Sequence, residues 1–379
     1  MRDPRFDRLA ELVLDHSLSL RPGQVLRIDA PVVAEPLIVA LHRAAVTRGA
    51  HSYADVEIEG LKELLVEEGS DDQLSFVSPI GRREAETIDA LVTIWSDSNT
   101  RSFSRVDPAR YQLQINAERQ LSLVRRGRIE RGELVWCGTL SPTAAHAQDA
   151  GLSLDEYEDF VFRACHVHDA DPAGYWRSLA DELELRARQL QDVRELRIVG
   201  DGTDLTVGVA GRTWRASNGL HNMPDGEVYT SPLETSASGT VAFGFPAVYG
   251  GREIDGVRLR FEDGRVVEQE ARVGRDYLDA LLELDEGART LGEVAFGLNY
   301  EIDRFTRNIL FDEKIGGTMH LALGLGFEDL GGQNVSTLHL DLICDLRAEG
   351  EVYGDGELIW RRGRFLEAAQ TARPVEHVG

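Results

Sequence analysis

Between Asp7 and Leu18 the apolar residues Leu9, Leu12, Val13 and Leu18 recur close to helical spacing and stop before Arg21-Pro22-Gly23, which predicts an amphipathic first helix. VLRIDAP (Val25 to Pro31) reads as a strand, Glu35 to Arg48 as a helix closed by Gly49, and HSYADVEI (His51 to Ile58) as a second strand. IDALVTIW (Ile88 to Trp95) is an almost unbroken apolar run of the kind a parallel strand buried on both faces needs, and LVWCGTL (Leu134 to Leu140) is similar. Strands alternating with helices imply crossover units, hence a mostly parallel sheet flanked by helices. Ser153 to Val161 and Gly174 to Val193, the second studded with Arg/Glu pairs, predict the helices that close this α/β unit, residues 1–194.

Around Glu195 the period changes. ELRIVGDGTDLTVGV, VRLRFEDGRVVEQEARV and GEVYGDGELIWRRGRF each alternate about an Asp-Gly pair, at 201–202, 263–264 and 355–356. Asp-Gly tolerates the positive φ of tight hairpin turns, so the second half, residues 195–379, is expected to be a β-rich α+β domain with one helix at about Asp276 to Leu284. Thr371 to Gly379 reads as a loose tail.

At 379 residues and 42% hydrophobic the chain has enough apolar material for two domains. No apolar run reaches the roughly 18 residues of a membrane span, and the first residues lack an apolar signal core, so a soluble cytoplasmic protein is expected. Three scattered cysteines, Cys137, Cys165 and Cys344, make no disulfide framework or thiolate metal site. The net charge of −24 argues against nucleic acid or anionic membrane as a partner. Lys62 and Lys314 are the only lysines; a GC-rich genome and adaptation to high salt both account for this, and with the acidity the pattern favours a salt-tolerant source. A sheet of this kind often binds nucleotides, but neither a G-x-G-x-x-G turn after an early strand nor a Walker-type lysine loop is present.

The chemistry concentrates in Leu310 to Arg347. Residues two apart on a strand share a face, so His339 and Asp341 in TLHLDLIC project together while Leu338, Leu340 and Leu342 face the core. In TMHLALG, His320 shares its face with Thr318, Ala322 and Gly324. Upstream, Glu227 in NMPDGEVYTSP and Glu293 in LGEVAFGLN each follow a glycine. Carboxylates and imidazoles without thiolate suit zinc, cobalt, manganese or magnesium, and five such side chains exceed the three protein ligands of a catalytic zinc, which points to a two-metal centre. His166 and His168 in ACHVHD form at most a weak rival cluster, and His221 is a candidate lining residue.

The segments NMPDGEVYTSP, GEVAFGLN, RNILFDEKIGGTMHLALG and GGQNVSTLHLDLICDLR resemble the signature stretches of the thermophilic-type metalloaminopeptidases, the aminopeptidase T, AmpS and PepS family. LAELVLDHSLSLRPGQVLRIDAP, WCGTLSPTAAHAQDAGLS and DEYEDFVF in the first half agree, so the resemblance spans essentially the whole chain. It implies a homodimer of two-domain subunits acting on peptides, with two divalent ions per subunit held by Glu227, Glu293, His320, His339 and Asp341. The chain departs from the family at Phe327, where a tyrosine is usual shortly after the first histidine; Tyr300 and Tyr229 are possible substitutes. A phenylalanine neither binds metal nor donates a hydrogen bond.

On this reading a metal-bridging hydroxide attacks the first peptide carbonyl, with Glu293 among the catalytic groups. Glu313 (or Asp312) in FDEK shuttles the proton to the leaving amine and Lys314 offers positive charge. The alternatives are a mononuclear iron ring-cleaving dioxygenase using only His320, His339 and Asp341, and a non-catalytic metal-binding relative.

Overall fold

The structure, a computed structural model, describes residues 3–366, so the tail expected at Thr371 to Gly379 lies outside the described residues. The fold is mixed α/β, with a parallel sheet and its helices in the first half and antiparallel sheets in the second. The parallel sheet runs His51–Glu57, Val25–Pro31, Ala90–Ile94, Val135–Thr139, and ends on the short strand Asn222–Met223. Its central members are the apolar runs read from the sequence: Leu26, Ile28, Val92 and Cys137 are fully buried. The edge strand His51–Glu57 is mostly exposed.

Helices form where caps and apolar faces coincide. Leu154–Ala164 starts at Ser153, whose hydroxyl accepts from Glu156 N while the Glu156 carboxylate accepts from Ser153 N, a reciprocal capping box. Glu35–Thr47 ends at Gly49, which takes φ +75°. The predicted first helix is α-helical over Pro4–Leu12 and continues as a wider π-turn over Val13–Ser17. The helix Pro108–Glu130, bounded by Asp107, has no clear apolar stripe in its sequence and was not anticipated.

All three Asp-Gly pairs turn hairpins, joining Gly200 to Thr203, Glu262 to Arg265 and Gly354 to Glu357. At 263–264 and 355–356 both turn residues have positive φ. These hairpins build an eight-stranded antiparallel sheet. A second antiparallel sheet of five strands has the order His339–Asp345, Thr318–Gly324, Leu291–Gly297, Glu227–Thr230, Arg215–Ser217. One face of that sheet packs Val228, Val294, Phe296, Met319, Leu321, Leu323, Leu340 and Leu342 into a core continuous with the strands of the parallel sheet. Its other face carries the candidate chemistry.

Candidate metal centre

Strand register brings the polar positions together. Glu293 pairs with Ala322, which pairs with Asp341; His320 pairs with Ala295 and Ile343; His339 pairs with Gly324; and Glu227 pairs with Gly297. Alternation therefore places Glu227, Glu293, His320, His339 and Asp341 on one face, over a floor of Ala295, Gly297, Ala322 and Gly324 whose small side chains leave the space above open. The glycine before each glutamate has a local cause. Gly226 takes φ +123° with Asn299 against it, and a Cβ on Gly292 would lie 2.2 Å from Leu325 O, at a register shift in the pairing of Leu291 and Glu293. Both glutamates lie in strands, not loops, and are buried.

His320 Nε2 lies 3.5 Å from both Glu227 Oε2 and Glu293 Oε1. His339 Nε2 lies 3.3 Å from Glu293 Oε2 and 3.5 Å from Asp341 Oδ1. These spacings are longer than ordinary hydrogen bonds. Glu227 Oε2 and Asp341 Oδ1 are buried without any hydrogen-bond partner, which is costly unless a cation satisfies them. Each histidine is oriented from behind: His320 Nδ1 donates to Glu313 O at 2.9 Å and His339 Nδ1 to Leu325 O at 3.0 Å, leaving Nε2 as the ligand atom. The donor atoms fall into two sets, Glu227–Glu293–His320 and Glu293–His339–Asp341, sharing Glu293 through different oxygens, with a further overlapping set of Glu313, His320 and Asp341. The residues present thus fit divalent cations.

The electrostatics agree. Burial pushes the Glu227 carboxyl well above its usual range, with Lys314 opposing. Burial likewise lifts Asp341 to about 6 against the pull of His339. Burial disfavours the imidazolium of His320 and of His339, but Glu293 outweighs it and both rise to about 10. Among protein groups alone, protons have to balance the crowded carboxylates, and a bound cation would displace them.

Around this face the sequence expectations divide. Lys314 is wholly buried, with Nζ against Glu313 Oε1 and 3.8 Å from Glu227 Oε1, so it is not a surface charge. Asp312 is buried too, but its Oδ1 accepts from Thr306 N and Oγ1 at 2.7 and 2.8 Å, which makes it an anchor for the loop. Tyr300 is turned away, donating to Gly363 O at 2.9 Å. Tyr229 shares the ligand face and meets Phe327 at a ring separation of 5.2 Å; Phe327 in turn lies 5.8 Å from the His339 ring. His221 stacks on Trp136 and His166 on Tyr175, both outside the cluster. Sequence reasoning missed Asp285, which accepts from Thr337 N, Thr337 Oγ1 and Ser336 Oγ at 2.7–2.8 Å and so fixes the approach to the His339 strand. Its D-x-G turn context alone did not distinguish it from a solvated acid.

The profile of the thermophilic metalloprotease family M29 matches residues 2–365. The chain belongs to the M29 family. It is therefore a hydrolase of the metallopeptidase class. Among similar M29 sequences are Aminopeptidase 2 of Geobacillus stearothermophilus, 29% identical with 96% of this chain and 98% of that protein aligned, and Aminopeptidase T of Thermus thermophilus, 29% identical over 95% and 98%. The solved structure of wild-type AmpT from Thermus thermophilus superposes with a TM-score of 0.84 at 25% identity, covering 96% of this chain and 99% of that one.

Proposed function

We propose that this M29 protein is a two-metal aminopeptidase that removes the N-terminal residue of peptides. The observation that carries the reading is the pair of ligand sets joined by Glu293, one carboxylate oxygen facing each histidine. Glu227 and His320 would hold one ion, His339 and Asp341 the other, with Glu293 shared between them. Zinc, cobalt, manganese and magnesium all suit this donor set. When bound, the ions supply Lewis acidity at the scissile carbonyl and generate a nucleophilic hydroxide near neutral pH. A mononuclear iron site would use three of the five side chains and leave the buried Glu227 Oε2 unsatisfied.

Glu313 sits within reach of His320 and Asp341 with a half-buried carboxylate, so it accepts the proton of the attacking water and returns it to the leaving amine. Lys314, with no exposed surface, aims Glu313 and offsets the charge of Glu227 without touching substrate. The subunit pairs as a homodimer, which the exposed apolar side chains of Ile58 and Leu61, directly after the edge strand His51–Glu57, support. Buried free cysteines fit a cytoplasmic setting, and no helix among the described residues is long and apolar enough to cross a membrane. The test is amine release from a panel of short peptides by protein loaded with cobalt or zinc. Unblocked peptides should lose their first residue and N-acetylated ones should not; no release with two ions bound refutes the proposal.

A further inference from the structure

The edge strand His339–Asp345 has a cavity against it of 190 Å³, and two of the ligand residues, His339 and Asp341, stand in its wall. Ile343 continues the same strand face beyond them. The opposite wall comes from Val248 and Tyr249 on the short hairpin strand Ala247–Tyr249, and the remaining side from Phe305 and Ile309. Apart from the candidate ligands His339 and Asp341, the charged groups of the wall are already engaged. Arg307 donates from Nε to Glu253 at 3.0 Å and from Nη1 to Asp149 O at 2.7 Å, and Asp312 is held by Thr306. What remains facing the space is largely aliphatic and aromatic. Solvent scarcely reaches several of the lining residues: Ala247 is at 7%, Ile343 at 3% and Leu340 at 2% exposure.

We propose that this cavity receives the side chain of the substrate's N-terminal residue and selects uncharged, medium-sized apolar side chains such as leucine, methionine and phenylalanine. The inference rests on the aminopeptidase reading above and adds its specificity. Size supports it, since an apolar cavity of about 150 Å³ holds a benzene ring. Shape supports it as well: an enzyme that removes one residue needs a dead end on that side of the scissile bond, whereas the leaving peptide needs an exit. With Asp341 committed to an ion, an ionic side chain entering here would lose its hydration without meeting a free partner.

The experiment compares kcat/KM of the metal-loaded protein for glycyl, alanyl, leucyl, phenylalanyl, lysyl and aspartyl amides, with calorimetric binding of leucinamide and glycinamide alongside. Each methylene received by an apolar pocket is worth roughly 10- to 200-fold in kcat/KM, so leucyl and phenylalanyl amides should exceed alanyl by at least about tenfold, and lysyl and aspartyl should be poorer than alanyl. Val248→Trp fills the space from a half-buried hairpin position and should cut the leucyl-to-alanyl ratio at least about tenfold; Ile309→Asp at the exposed rim should move the preference toward lysyl. Turnover of all amides without apolar preference, or an unchanged ratio in Val248→Trp, overturns the pocket and leaves the aminopeptidase reading intact. No turnover of any amide sinks that reading instead, and the calorimetry then decides the pocket: equal binding of leucinamide and glycinamide overturns it.

Discussion

The shared position of Glu293 makes a prediction about metal stoichiometry that a cluster of independent ligands would not make. Glu227 belongs only to the set with Glu293 and His320, and His339 only to the set with Glu293 and Asp341, whereas Glu293 belongs to both. The set with Glu227 is buried and the set with His339 partly so, with Glu293 at 5% and Glu227 at 6% exposure, so a missing carboxylate is not replaced by bulk water at little cost. Removing one partner from a buried charge contact costs on the order of 3–5 kcal/mol, or roughly 10²- to 10⁴-fold in affinity at 1.4 kcal/mol per decade. Glu227→Gln should therefore weaken one ion by that factor and His339→Ala the other, each variant retaining about one ion after dialysis against limiting metal. Glu293→Gln should weaken both. Elemental analysis of the dialysed proteins gives the stoichiometry, and competition with a chromophoric chelator gives the affinities. If Glu293→Gln keeps one tight ion, or Glu227→Gln empties the protein as completely as Glu293→Gln does, the bridging assignment is wrong.

Two further substitutions test the surroundings of the centre. Lys314 Nζ lies against Glu313 and 3.8 Å from Glu227 Oε1, so removing it leaves buried carboxyls without their cation, and Lys314→Met in chelator-treated protein should lose on the order of 3–5 kcal/mol in urea unfolding, with added divalent metal recovering more of the variant's stability than of the wild type's; a loss under about 1 kcal/mol would show that the lysine is not the counter-charge. Thr337 N, with Ser336 and Thr337 hydroxyls, holds Asp285 down at about 2, and a depressed carboxyl stabilises above its ordinary value near 4 and loses that stabilisation as pH falls toward 2. Asp285→Asn should therefore cost about 1 kcal/mol at pH 7 after solvent screening at a partly exposed site, and its deficit should shrink below about pH 4 in urea midpoints measured across pH; a deficit independent of pH would assign the anchoring to something other than the charge.

How much of this was legible in the sequence depended on whether the deciding interaction is local. Period-2 alternation put His339 with Asp341 and set His320 among small residues, and that is how the sheet displays them, because side-chain direction on a strand is a property of the strand. Asp-Gly pairs turned hairpins for the same reason. Burial was not local. Lys314 reads as a surface charge until Asp225 and Glu227 are brought to it from one distant segment, and with its neighbour Glu313 they raise its affinity for a proton despite the burial that opposes it. Asp312 and Glu313 are neighbours in sequence, yet one ties down Thr306 and the other faces His320, a division that a one-turn helix, Ile309–Asp312, imposes. Phe327 shows the limit from the opposite side. Its lack of a hydroxyl was visible at once, but that its ring stands between Tyr229 and His339 is a tertiary fact. The strand carrying Tyr229 also carries Glu227, so this phenol is fixed to the ligand frame and cannot swing into the position of Phe327 without moving a candidate ligand.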